Sequence, residues 1–463
     1  MSLAGTPRRR VALGAAAGAA CLAAGGLLGP LNNYDTAYSL LWGQDLVHGR
    51  TPDLEVALAP TPHPLATAWG ALLSLAGTDG AIWLWQGTAL AALLALGVLV
   101  AALGARWFGL AAGLLAAALV LTREPVLSFG LRAYVDLPYV CLLLAALLVL
   151  RRPRPALVLI GLAGLLRPEA WLFAGAYGAW LWHRRELRAE HVVLVGAAPV
   201  LWALHDLVLV GDPLWSLTGT RENADTLQRV TGLDDVPVTV PRRLGEVLRE
   251  PVLVAAAGGA ALTLLWQRAR ALVPAAVVVL ALAAFCVLAA AGLPLLTRYL
   301  LLPAALLAVF AGAGALGWTQ LGADDPRRRP WMAFGALVAV LLVAFAPGQV
   351  RRIDRLTDAL DRQAAVLDDL HDAVTGPVPA CRPLTLANRR GIPQTRLWTG
   401  LGPDDVRSAQ DGPVAGTYVT PATPQVAKDF VLDARDRDRR VAPVPRGAAV
   451  RRDGAWAVAT TCG

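Results

Sequence analysis

Charge is scarce in this chain: Asp, Glu, Lys and Arg together make up 16% of 463 residues, against the roughly 25% usual for a soluble protein. That scarcity excludes an ordinary water-soluble globule. With hydrophobic residues at 56%, the bilayer is the expected solvent. Lysine is almost missing, Lys428 being the single one, so the net charge of +8 rests on arginine. The arginines stand in small clusters between apolar runs rather than along one soluble face. This patterning argues against a nucleic-acid partner and makes the clusters topology signals. Tight groupings of His, Cys, Asp and Glu are also missing, so no strong metal centre is written in the chain.

What is present falls into two regimes. Residues 1–347 are apolar runs broken by short charged loops, and 348–463 read as a water-soluble sequence. A helix needs about 20 apolar residues to cross ~30 Å of hydrocarbon. Combined with the tendency of cytoplasmic loops to be basic, that rule places spans near 11–30, 81–103, 110–122, 137–150, 155–167, 170–182, 191–210, 251–267, 271–293, 299–320 and 331–347, with 64–76 as a partial or interfacial helix. The first run follows Arg8-Arg9-Arg10 as a signal peptide would, but its length favours an uncleaved span. With the N-terminus inside, the loops at 1–10, 104–109, 151–154, 183–190, 268–270 and 322–330 hold fifteen Arg. The expectation is therefore an all-α polytopic membrane protein of about eleven spans, with a small α/β domain outside the cytoplasm.

The carboxylates distribute in the opposite sense. Asp35, Asp45, Asp53, Glu55, Glu124, Asp136, Glu169 and Asp212 all fall on the outer side. A carrier usually keeps ionisable groups at mid-membrane depth, whereas most spans here are charge-free and His205-Asp206 reads as a loop-facing pair. Chemistry at the outer surface is the better reading. Its first candidate is Asp35, just beyond the first span and heading an aromatic segment through Trp42. As a residue it suits a helix cap and a catalytic carboxylate equally well.

Five stretches in order, Tyr34-Asp35-Thr36-Ala37-Tyr38, Pro62-His63-Pro64-Leu65, Gly130-Leu131-Arg132-Ala133-Tyr134-Val135-Asp136-Leu137-Pro138, Leu166-Arg167-Pro168-Glu169-Ala170-Trp171 and Thr297-Arg298-Tyr299-Leu300, resemble the C-type glycosyltransferase superfamily. They are most similar to its protein mannosyltransferase and aminoarabinose transferase branch. The resemblance implies transfer of a sugar, with mannose one candidate, from a polyprenyl-phosphate donor at the outer face of a bacterial plasma membrane. Transfer would proceed with inversion, onto a hydroxyl of an envelope glycan, glycolipid or protein. It maps the catalytic acid of the first loop onto Asp35, which would take the acceptor proton. The departing phosphate needs fixed positive charge, for which Arg298 is favoured over Arg132 and Arg221. Tyr34, His63 and Tyr299 accompany these groups in the motifs. Where relatives carry an acidic pair, Thr36 follows Asp35, leaving Asp45 as the nearest other carboxylate. Asp136 matches a position that in some members helps to hold a divalent cation. Arg167 and Glu169 suit either substrate binding or stitching of the bundle. A flippase for a lipid-linked sugar and a non-catalytic envelope assembly protein are the competing readings.

In the outer segment, Ile353, Leu356, Leu360, Leu367, Leu370 and Val374 recur at helical spacing. Short strands are expected around 384–387, 416–420, 440–444 and 448–461, the last split by Asp453-Gly454. Cys381 and Cys462 bracket this domain and are expected to pair outside the cell. Trp42 and Trp69 are the two tryptophans open to a sugar-stacking role.

Overall fold

The computed structural model describes residues 31–376, 381–431 and 441–460. In chain order its helices are Tyr34–Val47 (α1), Pro64–Ser74 (α2), Gly77–Phe108 (α3), Leu110–Leu121 (α4), Glu124–Leu131 (α5), Asp136–Leu148 (α6), Pro153–Gly164 (α7), Ala170–His183 (α8), Ala189–Val210 (α9), Trp215–Thr226 (α10), Val236–Trp266 (α11), Arg268–Ala290 (α12), Leu301–Leu316 (α13) and Arg328–Thr375 (α14). Two compact units emerge. One comprises Thr88–Leu204 and Val230–Leu356; the other comprises the segment ending at Gly87, His205–Arg229 and Thr357–Gly463.

Among the described residues six helices, α3, α9, α11, α12, α13 and α14, are long and apolar enough to cross a membrane. α4 and α5, bent by 66° at their junction, form a candidate seventh. The membrane part of the protein is thus all-α, while the span expected at 11–30 lies outside the described residues. The runs expected to span at 137–150, 155–167 and 170–182 form α6, α7 and α8, of 13, 12 and 14 residues. At 1.5 Å per residue each reaches roughly 20 Å, short of the ~30 Å of hydrocarbon. Arg151-Arg152-Pro153 and Arg167-Pro168 interrupt them, because a proline inside a helix removes a backbone donor.

α13 is the core of the first unit, with 89% of its apolar window buried. Small residues let its neighbours approach closely. A Cβ added at Gly259 of α11 would lie 1.9 Å from the Phe310 carbonyl oxygen, and one at Gly312 would lie 2.2 Å from that of Ala112 in α4. α11 itself is broken at Arg249, whose φ of 66° is left-handed. α14 carries the last apolar run and the expected amphipathic helix as one 48-residue element, with Pro347 inside it.

In the second unit α1 packs on α2, and Gly43 and Gly70 allow the contact: their added Cβ atoms would lie 2.2 Å from Ala71 N and 2.5 Å from Ser39 O. The C-terminal segment forms a five-stranded sheet ordered β2-β1-β3-β5-β4, from Leu384–Leu386 (β1), Val406–Ser408 (β2), Thr417–Pro421 (β3), Ala449–Asp453 (β4) and Trp456–Thr460 (β5). β1 runs parallel to β2 and β3, and β5 runs antiparallel to β3 and β4. Leu370 and Val374 from the end of α14 join Leu384, Tyr418, Val419 and Trp456 in its core. The β4–β5 hairpin turns at Gly454, with φ 56°. Residues 441–444 form no strand, contrary to expectation, because Pro443 and Pro445 lack the amide donors that a ladder needs. β2 is three residues long and gives too little alternation to be read from sequence. Ile392–Thr399 (α15) completes the domain.

Candidate active site

In the second unit the sequence Asn32-Asn33-Tyr34-Asp35 leads into α1. The helix cap is Asn33, whose side-chain oxygen accepts from the backbone N–H of Asp35 at 2.8 Å and of Thr36 at 3.2 Å. Asp35 is therefore not the cap. It sits half-buried in the first turn, where the helix dipole stabilises a negative side chain. Tyr34 meets Tyr38 edge-on at 4.9 Å and donates its hydroxyl to the Leu58 carbonyl at 3.1 Å. Burial pushes the Tyr34 phenol well above its usual range and that of Tyr38 up to about 12. Both phenols stay protonated near neutral pH.

Asp45, 2% exposed, has Arg50 Nη2 at 2.9 Å and Arg396 Nη2 at 3.7 Å from its two oxygens. Its role there is to tie α1 to α15. His63 is buried at the N-terminus of α2, its carbonyl accepting from Thr67 N. Arg221 lies exposed on α10, whose first turn is held by Asp206: Ser216 N and Oγ each donate to that carboxylate at 2.9 Å, and His205 Nδ1 is 3.0 Å from it. Trp42 is wholly buried with Nε1 on the Asp53 carbonyl, so it offers no face to a sugar, whereas Trp69 is 37% exposed.

In the first unit three short helical starts bring charge together. Asp136 opens α6, Glu169 precedes α8, and the 3-10 turn Thr297–Leu300 before α13 carries Arg298 and Tyr299. Arg167 lies between both carboxylates, donating to Asp136 Oδ1 at 2.7 Å and to Glu169 Oε1 at 2.9 and 2.8 Å. Its guanidinium stacks 3.9 Å from the Tyr299 ring centroid. Arg298 stands farther out, its side chain 17% exposed and Nε 4.0 Å from Asp136 Oδ2, with Tyr134 5.3 Å away. Two carboxylates thus face two guanidiniums in a buried network. Arg167 takes the stitching role, and Arg298 is the cation of the cluster that solvent reaches.

Arg132 is bound to Ser128 on its own helix. The suggestion of a cation at Asp136 does not fit: its oxygens already face two guanidiniums, and no group of three His, Cys, Asp or Glu suited to a metal occurs among the described residues. Cys381 is disulfide-bonded; Cys462 lies outside the described residues. Sequence reasoning missed Asn33 as the cap, although an Asn before a helical pattern is a recognised signal, and missed Arg396, whose partner is hundreds of residues away.

Neither a family model nor a curated protein matches the chain. Solved structures of similar fold include those of ArnT from Cupriavidus metallidurans. The form bound to undecaprenyl phosphate has a TM-score of 0.53 at 13% identity, and the apo form 0.52 at 14%; each match covers 98% of this chain and 98% of the other.

Proposed function

We propose that the protein is a membrane glycosyltransferase that moves a sugar from a polyprenyl-phosphate donor to a hydroxyl of a cell-envelope acceptor, with inversion at the sugar carbon. The observation that carries this is the fold shared, along nearly the whole of both chains, with a protein crystallised with undecaprenyl phosphate. In the proposed step the acceptor oxygen attacks the anomeric carbon as its proton passes to the Asp35 carboxylate. The bond from that carbon to the phosphate oxygen breaks, and the polyprenyl phosphate leaves as an anion. Arg298 supplies fixed positive charge to that anion, with Asp136 Oδ2 4.0 Å from its Nε and the Tyr299 ring centroid 5.9 Å from its guanidinium carbon. The Arg-rich loops support an outer-face location for both groups. The acceptor is an envelope glycan, glycolipid or protein, and mannose is the first sugar to test. The purified protein in lipid nanodiscs should transfer labelled sugar from a polyprenyl-phosphate donor series to an envelope extract. Translocation of the lipid-linked sugar without transfer would instead support a flippase.

A further inference from the structure

The pentapeptide Arg-Glu-Pro-Val-Leu occurs twice, at 123–127 and at 249–253. Each copy starts a helix: Arg123 is the N-cap of α5, and Arg249 occupies the break in α11 with its left-handed φ of 66°. The two copies meet, since Arg123 Nη1 donates to the Leu248 carbonyl at 3.4 Å. A third arginine joins them from α14, where Gln349 Nε2 donates to the Thr122 carbonyl at 2.7 Å and Arg352 lies about one turn further on. Arg249 and Arg352 both lie within Coulomb range of Arg123.

Arg123 is 8% exposed, and its hydrogen bonds go to the Leu119 and Leu248 carbonyls and the Thr122 hydroxyl. Among the described residues no carboxylate lies within ion-pair distance of any of the three arginines. Glu124 and Glu250 adjoin two of them in sequence without pairing. Like charges gathered in a low dielectric repel, and a buried cation normally finds a counter-ion. Among the described residues no counter-ion faces this group. Beside Arg352, α14 exposes the apolar side chains Val343, Phe345 and Val350.

We propose that Arg123, Arg249 and Arg352 bind the phosphate of a membrane lipid. Guanidinium forks match phosphate oxygens in pairs, and an apolar wall beside them favours an amphiphile over a free ion. The inference concerns a binding site and stands whether or not the chain transfers sugars.

The test is lipid retention by the full-length, delipidated protein, read by native mass spectrometry and thermal stability. The additions are phosphatidylglycerol, polyprenyl monophosphate, phosphatidylcholine and inorganic phosphate, each given to wild type, Arg249→Gln/Arg352→Gln and Arg352→Lys. We expect one of the two anionic lipids to bind at least tenfold more tightly than phosphatidylcholine or inorganic phosphate, which identifies the source. The double Gln variant should lose that preference while still binding phosphatidylcholine as wild type does, which reports an intact fold, and the Lys variant should keep most of it. Equal retention of anionic lipid by wild type and the double variant, or no preference for anionic lipid in wild type, overturns the proposal.

Discussion

Arg167 donates from Nη1 to Asp136 Oδ1 at 2.7 Å, and both side chains are almost withdrawn from solvent, at 5% and 1% exposure. Removing one partner strands a buried charge, which typically costs about 3–5 kcal/mol. Arg167→Ala strands Asp136 and Glu169 together. It should sharply lower the unfolding temperature of the detergent-purified protein, whereas Arg298→Gln, at a more exposed position, should change it little.

Arg298 has a different expected signature in activity. If it stabilises the leaving phosphate, Arg298→Gln should lower kcat about 100- to 1000-fold, as loss of one transition-state charge partner does. KM for the donor should change less, and Arg298→Lys should recover part of the rate. A rise in KM alone would assign Arg298 to ground-state binding.

The close helix crossing at Gly259 gives a stability prediction. An added Cβ would lie 1.9 Å from a backbone oxygen, and backbone cannot yield as a side-chain tip can. Gly259→Val should leave little monodisperse protein on size exclusion. Gly196, with open space around it, should accept Ala without loss.

Much of this architecture was legible because a bilayer reduces the problem to apolar run length. The long helices and the β4–β5 hairpin around Gly454 follow from period and turn chemistry. The short helices α6 to α8 were legible to within about three residues at each end, but apolar composition does not say whether helices of that length cross the membrane. The Asp136–Arg167–Glu169–Arg298 grouping was legible only as separate motifs, since nothing in the sequence says that the starts of α6, α8 and α13 converge. Asp45 read as a spare carboxylate until Arg396 proved to be its partner. The grouping of Arg123, Arg249 and Arg352 had a visible clue in the repeated pentapeptide, but its meaning needed the fold.

Orientation is open to direct measurement. Single cysteines introduced in a background lacking the native thiols should react with an impermeant reagent in intact cells when placed in 211–250. They should stay protected when placed in 322–330, where Asp325 and Arg327 pair at 2.6 Å in an exposed loop. The reverse pattern would put the proposed chemistry on the cytoplasmic face.

The most direct test is the rate of sugar transfer by Asp35→Asn beside wild type, with the same polyprenyl-phosphate donor and with folding checked by unfolding temperature. Asn33 caps α1 in either protein, so the variant should fold. Loss of a general base typically costs about 100- to 10,000-fold in rate, and a fall within that range is the expected result. Near-normal turnover by a folded Asp35→Asn protein would contradict the assignment of Asp35 as the base.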